Sequence, residues 1–510
     1  MSALVFFVAL AVATVAVSRW LSVRKLRLPP GPPPDPFLGN IRQMAFENQE
    51  QRFAEWGKVY GDVMHAKIFS RSVLILNSLK AAQDLLEKRS RNYSCRPRLV
   101  LISELMGWSA SLPNIPYGDK FRKHRRWMME YFNEKAIVGF QPLQRSEVNV
   151  LLMGFLNTPQ AFMSHVRRLS AGVIMNIAYG HTVQSVDELY VRLAEEAGEA
   201  TVTAGSPGSM LVDFFPILKY MPTWMPGAGF KRTALEARKK VRLMHDVPYE
   251  MVRDTMANGA AIPSFTSSLL VENENAGTTP IHSEEDIKGA AGTLFAAASD
   301  TTSATMMAFV LAMTMHPDVL AKAQEEIDRV VGLERLPDFN DRDSLPYVQS
   351  VVLEVYRWHA AVPLCVPHRT MNVDQYRGYD IPANAMVIPN VWAMMRDEEV
   401  YSQSDEFNPD RFLNLSPEEA DRVDPRKIMF GFGRRQCPGQ YFADKSVWLA
   451  VASIIAAFTI SPPVGENDKP IFPAGEFTSG FVRHPKPFGC EIRPRSQRVV
   501  EMLNQSFNAA

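Results

Sequence analysis

The sequence predicts a mainly α-helical chain with a small β region: one large domain behind an N-terminal transmembrane helix. Three observations carry this. The chain opens on an apolar run that basic residues follow. No composition shift marks a linker beyond residue 36. Apolar residues recur at helical spacing through most of that body, and strand-like pieces are short. With 510 residues, 46% hydrophobic and 22% charged, the chain lies in the range of folded proteins. Length alone suggests about three domains. The unbroken body instead favours an anchor at 1–18, a basic and proline-rich hinge at 19–36 and a single domain at 37–510.

Taken in order, residues 3–17 contain neither charge nor proline, and Arg19, Arg24, Lys25 and Arg27 come after them. A cleaved signal peptide carries its positive charge before the apolar core, so this order points to a retained anchor. The positive-inside rule then puts the body in the cytosol. With Trp20 and Leu21 at its edge, the span suits a thin bilayer such as that of the endoplasmic reticulum. Prolines at 29, 30, 32–34 and 36 exclude helix and favour a stiff extended spacer. Residues 211–230 are apolar and aromatic and precede a Lys/Arg-rich stretch at 231–242. The former suits either a membrane interface or a pocket, the latter a solvated helix face. Residues 287–315 carry few charges, yet Asp300 and many hydroxyls interrupt them, which favours a long core helix over a second span. Residues 318–331 place Leu320, Ala323, Ile327, Val330 and Val331 on one stripe, with Lys322, Glu325, Glu326, Asp328 and Arg329 off it. Strands are expected at 73–76, 385–389 and 490–492.

Several function classes are excluded. Lys plus Arg and Asp plus Glu both total 55, which speaks against a dedicated nucleic-acid binder. Four cysteines without a C-x-x-C give no disulfide framework or Cys-rich zinc site. Zincin, P-loop and G-x-S-x-G motifs are absent, and Gln436 stands where Gly431-Phe432-Gly433 would need a third glycine to bind a dinucleotide. What remains is Cys437, in a Gly-rich loop beside Arg434 and Arg435 and ahead of an apolar helical stretch. Arginines and a helix start favour thiolate, and glycines let a backbone approach a large flat ligand. Thiolate is a strong ligand for haem iron. Cys95, Cys365 and Cys490 read as small buried hydrophobes.

Phe430, Gly433, Arg435, Cys437 and Gly439 fill every fixed position of the haem signature F-x-x-G-x-R-x-C-x-G. The sequence resembles the cytochrome P450 family over nearly its whole length. Tyr376-Arg377-Gly378-Tyr379 and Asn390-Val391-Trp392-Ala393 resemble fungal members of secondary metabolism. The resemblance implies haem b on Cys437. It matches Glu354 and Arg357 to the family's E-x-x-R, whose spacing puts both on one helix face, with Arg411 as their third partner. Ala297-Ala298-Ser299-Asp300-Thr301-Thr302 resembles the oxygen-activating stretch, with Ala298 in place of the usual glycine. There Asp300 and Thr301 would relay protons. Arg125, His368 and Arg435 would hold the propionates, with Phe121 in a position where relatives carry tryptophan. Phe214, Phe295, Ala298, Val362, Leu364 and Phe481 would line the substrate pocket, an apolar one with no charged anchor. Arg122, Lys123, Arg126 and Arg434 would offer a basic face to an acidic electron donor.

The implied function is insertion of one oxygen atom from O2 into a hydrophobic small molecule of terpenoid, polyketide or indole type. Electrons would come from NADPH through a separate NADPH–cytochrome P450 reductase at the same endoplasmic-reticulum membrane. One alternative is a haem-thiolate isomerase or dehydratase acting on a hydroperoxide, which the Asp300–Thr301 pair speaks against. The other is a non-catalytic haem-binding protein at the membrane.

Overall fold

A computed structural model, describing residues 26–508 except 46, 206–209, 278 and 466–467, turns the long Ala/Thr/Met-rich stretch into a single helix. The expected anchor at 1–18 lies outside the described residues. In chain order the longer helices are α1 (Gln49–Tyr60), α2 (Asp119–Phe132), α3 (Gln141–Asn157), α4 (Phe162–Tyr179), α5 (Leu189–Ala204), α6 (Gly229–Ala257), α7 (Phe265–Asn275), α8 (Glu284–Met315), α9 (Pro317–Val330), α10 (Pro346–His359), α11 (Gln440–Ala457) and α12 (Gln497–Asn508). The strands are β1 (Val63–Ile68), β2 (Arg71–Leu76), β3 (His368–Arg369), β4 (Asp374–Tyr376), β5 (Tyr379–Ile381), β6 (Met386–Pro389), β7 (Phe458–Ser461) and β8 (Glu491–Pro494).

Helix α8 organises the core. The Ser283 hydroxyl accepts the Asp286 N–H, and Glu284, Glu285 and Asp286 fill the first turn, so cap and charge both favour a helix start there. Its buried threonine hydroxyls are satisfied locally: Thr293, Thr305 and Thr314 donate to carbonyls four residues back, at 2.6, 2.9 and 2.8 Å. Among the described residues α8 is the helix long and apolar enough to cross a membrane, yet 61% of its apolar window is buried inside the domain. It packs on α4, α10 and α11 within the largest hydrophobic cluster.

In α9, Leu320, Ala323 and Ile327 are buried as expected, with Val330 and Val331 half-buried. Glu326, expected off the stripe, is buried too. Its carboxylate accepts the N–H groups of Tyr347 and Val348 at 3.0 and 2.9 Å and so caps α10.

The four-stranded sheet runs β1-β2-β6-β3. β1 and β2 are antiparallel, β2 and β6 parallel (Val73 opposite Met386), and β3 and β6 antiparallel (His368 opposite Val387). β4–β5 and β7–β8 form separate antiparallel pairs. The three expected strands correspond to β2, β6 and β8. β1 escapes the sequence reading because Val63 to Ala66 are all buried, leaving no alternation to see.

The proline run lies against the body. The His65 N–H donates to the Pro30 carbonyl at 2.9 Å, and Asn40 Nδ2 donates to that of Pro32 at 3.0 Å. A methyl group on Gly31 would stand 1.9 Å from the His65 oxygen, so glycine is required for this approach. Within residues 211–230, Leu211, Phe215, Ile217, Tyr220 and Trp224 are exposed, whereas Val212 and Ala228 are buried, so this segment straddles the core edge.

Candidate active site

Cys437 sits on a tight loop ahead of α11. Its N–H donates to the Phe430 carbonyl at 2.8 Å, and the Gln436 N–H to that of Gly433 at 3.1 Å. Gly433 has φ +56°, and a Cβ there would lie 2.2 Å from the Leu86 oxygen. This glycine therefore serves close packing on neighbouring backbone, whereas the sequence reading aimed the loop's glycines at a flat ligand.

The expected help to the thiol from Arg434 and Arg435 does not materialise. Arg434 donates to the Tyr117 hydroxyl. Arg435 donates to the carbonyls of Ser94, Leu112 and Ile115 at 2.7, 3.2 and 2.7 Å. Burial pushes the Cys437 thiol up, and only the Gly439 N–H and Arg125 act in the opposite sense to a smaller degree. A bound metal ion would favour the thiolate there, since its own charge opposes the desolvation.

Arg96, Arg125, Arg435 and His368 converge near this loop. Arg96 is buried and donates to the carbonyls of Pro113 (2.8 Å), Val366 (2.7 Å) and Pro367 (3.0 Å). Arg125 donates to the Gln436 carbonyl. Arg435 also stacks over the Phe121 ring at 3.7 Å, so the phenylalanine in the tryptophan position braces a cation. Burial, then Arg96 and Arg125, push Arg435 down. Burial, then Arg96, push buried His368 well below its usual value, and its Nδ1 lies 2.8 Å from the Tyr93 oxygen. No Asp or Glu forms an ion pair with Arg96, Arg125 or Arg435 among the described residues; the groups that favour their charge are Cys95, Cys365, Cys437 and Tyr117. Leaving such cations uncompensated costs several kcal/mol. An acidic ligand would remove that cost.

Glu354, Arg357 and Arg411 come together in the structure. Glu354 and Arg357 are fully buried, and Arg357 Nε and Nη2 both donate to the Glu354 carboxylate at 2.7 Å. Arg411 Nε donates to Glu354 Oε1 at 3.2 Å.

On α8, the Thr301 hydroxyl donates to the Ala297 carbonyl at 2.8 Å. Asp300, expected to work directly with Thr301, instead has Oδ1 2.8 Å from His484 Nε2. Sequence reasoning missed both Arg96 and His484, since neither sits in a motif that marks it.

A pocket of about 290 Å³ is lined by Phe214, Leu364, Phe481, Ile41, Met44, Phe53 and neighbours. Three expected lining residues thus lie on its wall. Phe295 is a correction: it is fully buried and meets the Tyr179 ring edge-on at 6.3 Å, in the core. Ala298 and Val362 are half-buried and lie off this wall. Glu50 also reaches the wall, against the expectation of no charged group, but Arg483 faces it at 3.7 Å and balances its charge. The expected basic face is partly spent: Lys123 pairs with Asp286 at 2.5 Å and Arg122 with Asp119. Arg126 stays exposed.

The family model Cytochrome P450 matches residues 29–492. The chain belongs to the cytochrome P450 family. It is 43% identical over 95% of its length to cytochrome P450 monooxygenase 176 of Postia placenta, covering 94% of that protein. It is 39% identical to tryptamine 4-monooxygenase of Psilocybe cyanescens (94% of this chain, 96% of that one) and 38% to cytochrome P450 monooxygenase claR of Ampulloclitocybe clavipes (97% and 92%). This P450 is accordingly an oxidoreductase of the monooxygenase type, and its family uses haem-thiolate chemistry. The residues fit that group: Cys437 is available to iron, and the uncompensated guanidinium groups match two propionates. Arg435 has five N–H donors, three of them committed to carbonyls, so it keeps capacity for a carboxylate.

Proposed function

We propose that this P450 is a membrane-anchored monooxygenase that oxidises a hydrophobic small molecule of fungal secondary metabolism, of terpenoid, polyketide or indole type. Electrons come from NADPH through a separate NADPH–cytochrome P450 reductase at the endoplasmic-reticulum membrane, with the body in the cytosol. The observation that carries the substrate class is the pocket wall: Phe53, Leu364, Met386, Ile388 and Phe481 line it, and its one carboxylate is balanced by Arg483. Such a wall favours a neutral apolar body with few polar groups. An indole fits that description, and one relative is named for acting on tryptamine.

In this reading Cys437 holds haem b, and Arg96, Arg125, His368 and Arg435 hold its propionates. Bound haem supplies the activation of dioxygen. Asp300 and Thr301 move protons toward that oxygen, and Glu354, Arg357 and Arg411 fix the scaffold behind it. The test is product analysis in microsomes containing the protein and its reductase, fed with terpenoid, polyketide and indole candidates. Product is expected only with NADPH and reductase. Turnover supported by hydroperoxide alone, with none from NADPH, would sink the monooxygenase reading.

The exposed aromatic segment gives a second membrane contact. Ile217 and Trp224 are 72% and 79% exposed, beside the basic start of α6. Protein lacking residues 1–28 is expected to retain weak vesicle binding. Adding Ile217→Ser and Trp224→Ser removes about 1.5–3 kcal/mol per side chain, so vesicle partitioning should fall at least about tenfold. Equal sedimentation of the two truncated forms would rule the segment out as a contact.

A further inference from the structure

His484 closes the hairpin whose tip carries Phe481 into the pocket. Its N–H donates to the Thr478 hydroxyl at 3.0 Å, and the Thr478 N–H donates to the His484 carbonyl at 2.7 Å. One residue earlier, the Arg483 N–H donates to Ala361 at 2.9 Å, and the Arg483 carbonyl lies 2.7 Å from His359 Nε2. The backbone is therefore fixed on both sides of the imidazole. That imidazole reaches α8 and meets the Asp300 carboxylate at 2.8 Å, with both groups open to water: His484 is 29% and Asp300 52% exposed. Thr301, next along, is turned onto the Ala297 carbonyl. Hence Asp300 receives its nearest proton donor from a residue 184 positions away, not from its neighbour.

We propose that His484 is the positioning residue for Asp300 and the port through which protons enter the oxygen-activating stretch. Carboxylates in general hold few protons at neutral pH, whereas histidine is the side chain suited to exchange them there. The step balances simply. The His484 Nε2 proton passes to Asp300 Oδ1, giving neutral imidazole and a carboxylic acid. The acid passes that proton on toward Thr301 through water, and the imidazole regains one from solvent. The charged and titratable groups around His484 are Asp300 on α8, His359 on α10, and Arg483 with its partner Glu50 on α1; the Lys486–Glu476 pair flanks the same hairpin. Of these, Asp300 is the group within hydrogen-bonding distance of its ring.

The proposal rests on the monooxygenase reading, and one experiment separates the two. Full-length protein and its His484→Gln and His484→Asn variants are reconstituted with haem and reductase in vesicles, without added substrate. Hydrogen peroxide released per NADPH oxidised is measured from acid to alkaline pH, in H2O and D2O. Glutamine can keep a hydrogen bond to Asp300 but cannot cycle a proton. Both variants should raise the peroxide share several-fold and flatten its pH and solvent-isotope dependence. Their reduced carbon-monoxide spectrum and thermal unfolding midpoint should stay at the parent's. An unchanged peroxide share with an unchanged pH profile overturns the proposal. So does a lowered unfolding midpoint in both variants, which would make His484 a structural staple. Absence of reductase-dependent NADPH oxidation in the parent would instead overturn the monooxygenase reading.

Discussion

Replacing Cys437 with alanine is expected to abolish the red-shifted reduced carbon-monoxide spectrum and to take NADPH-driven turnover with it. The loss should exceed the roughly 10–100-fold that follows removal of a group supporting a metal ligand, because the ligand itself is gone. No other thiol is placed to stand in. Cys95 is buried and accepts a bond from Arg369 Nη2 at 3.0 Å. Burial pushes Cys490 up to about 12, where Thr314 is its hydrogen-bonding neighbour. Cys365 comes nearest, close to Gly431, but burial pushes it up as well. Cys437→His separates ligand loss from collapse: it should keep haem but show an unshifted spectrum. A red-shifted spectrum surviving in Cys437→Ala would move the ligand elsewhere, and Cys365 would be the first residue to test.

Reading the chain without its structure succeeded where a function is written in local spacing. The loop around Cys437 is such a case, because its members lie within ten residues and its backbone bonds, from the Cys437 N–H to Phe430 and the Gln436 N–H to Gly433, run along the loop itself. Glu354 and Arg357 are another, since three residues on a helix always share a face. Helix α8 was legible from its run of small and apolar residues. Arg96 was not, because what makes it special is its enclosure by carbonyls from 113, 366 and 367, two of them far along the chain. His484 failed for the same reason. Phe295 was placed on the pocket wall by family position, but on a helix buried for most of its length side chains face the core in every direction, and this one meets Tyr179. Glu326 shows the limit of the polar–apolar pattern: a carboxylate off the apolar stripe is buried all the same, because the next helix start uses it as a cap. The thiol expectation erred by counting arginines along the sequence rather than by where their guanidinium groups point.

The second large effect belongs to Arg357. It is fully buried, and its guanidinium group makes two bonds to Glu354 and three to carbonyls: Met395 at 3.1 Å, Ser404 at 2.6 Å and Glu406 at 2.9 Å. Glu354 in turn accepts from Asn408 N–H at 2.8 Å and from Arg411. The group therefore ties α10 to the segment from 395 to 411, with every charge satisfied. Arg357→Ala leaves the buried Glu354 carboxylate with only Arg411 and the Asn408 N–H, and takes a donor from three carbonyls. Breaking a buried pair from one side costs about 3–5 kcal/mol, a large share of the roughly 5–15 kcal/mol that holds a typical domain folded. The variant should yield little haem-loaded protein and unfold at a markedly lower temperature. Arg357→Lys should rescue only in part, because an ammonium keeps the charge but not the planar fork. The joint replacement Glu354→Met with Arg357→Met should cost less than the two single losses added together, since only Arg411 is then left without its carboxylate, and it keeps bonds to the carbonyls of Ser402, Gln403 and Glu406. Thermal unfolding of these proteins together with Glu354→Met and Arg357→Met alone, six in all, decides this. If Arg357→Ala melted with the parent, the buried pair would not be bracing the scaffold. If the single losses simply added, the two residues would not be acting as one unit.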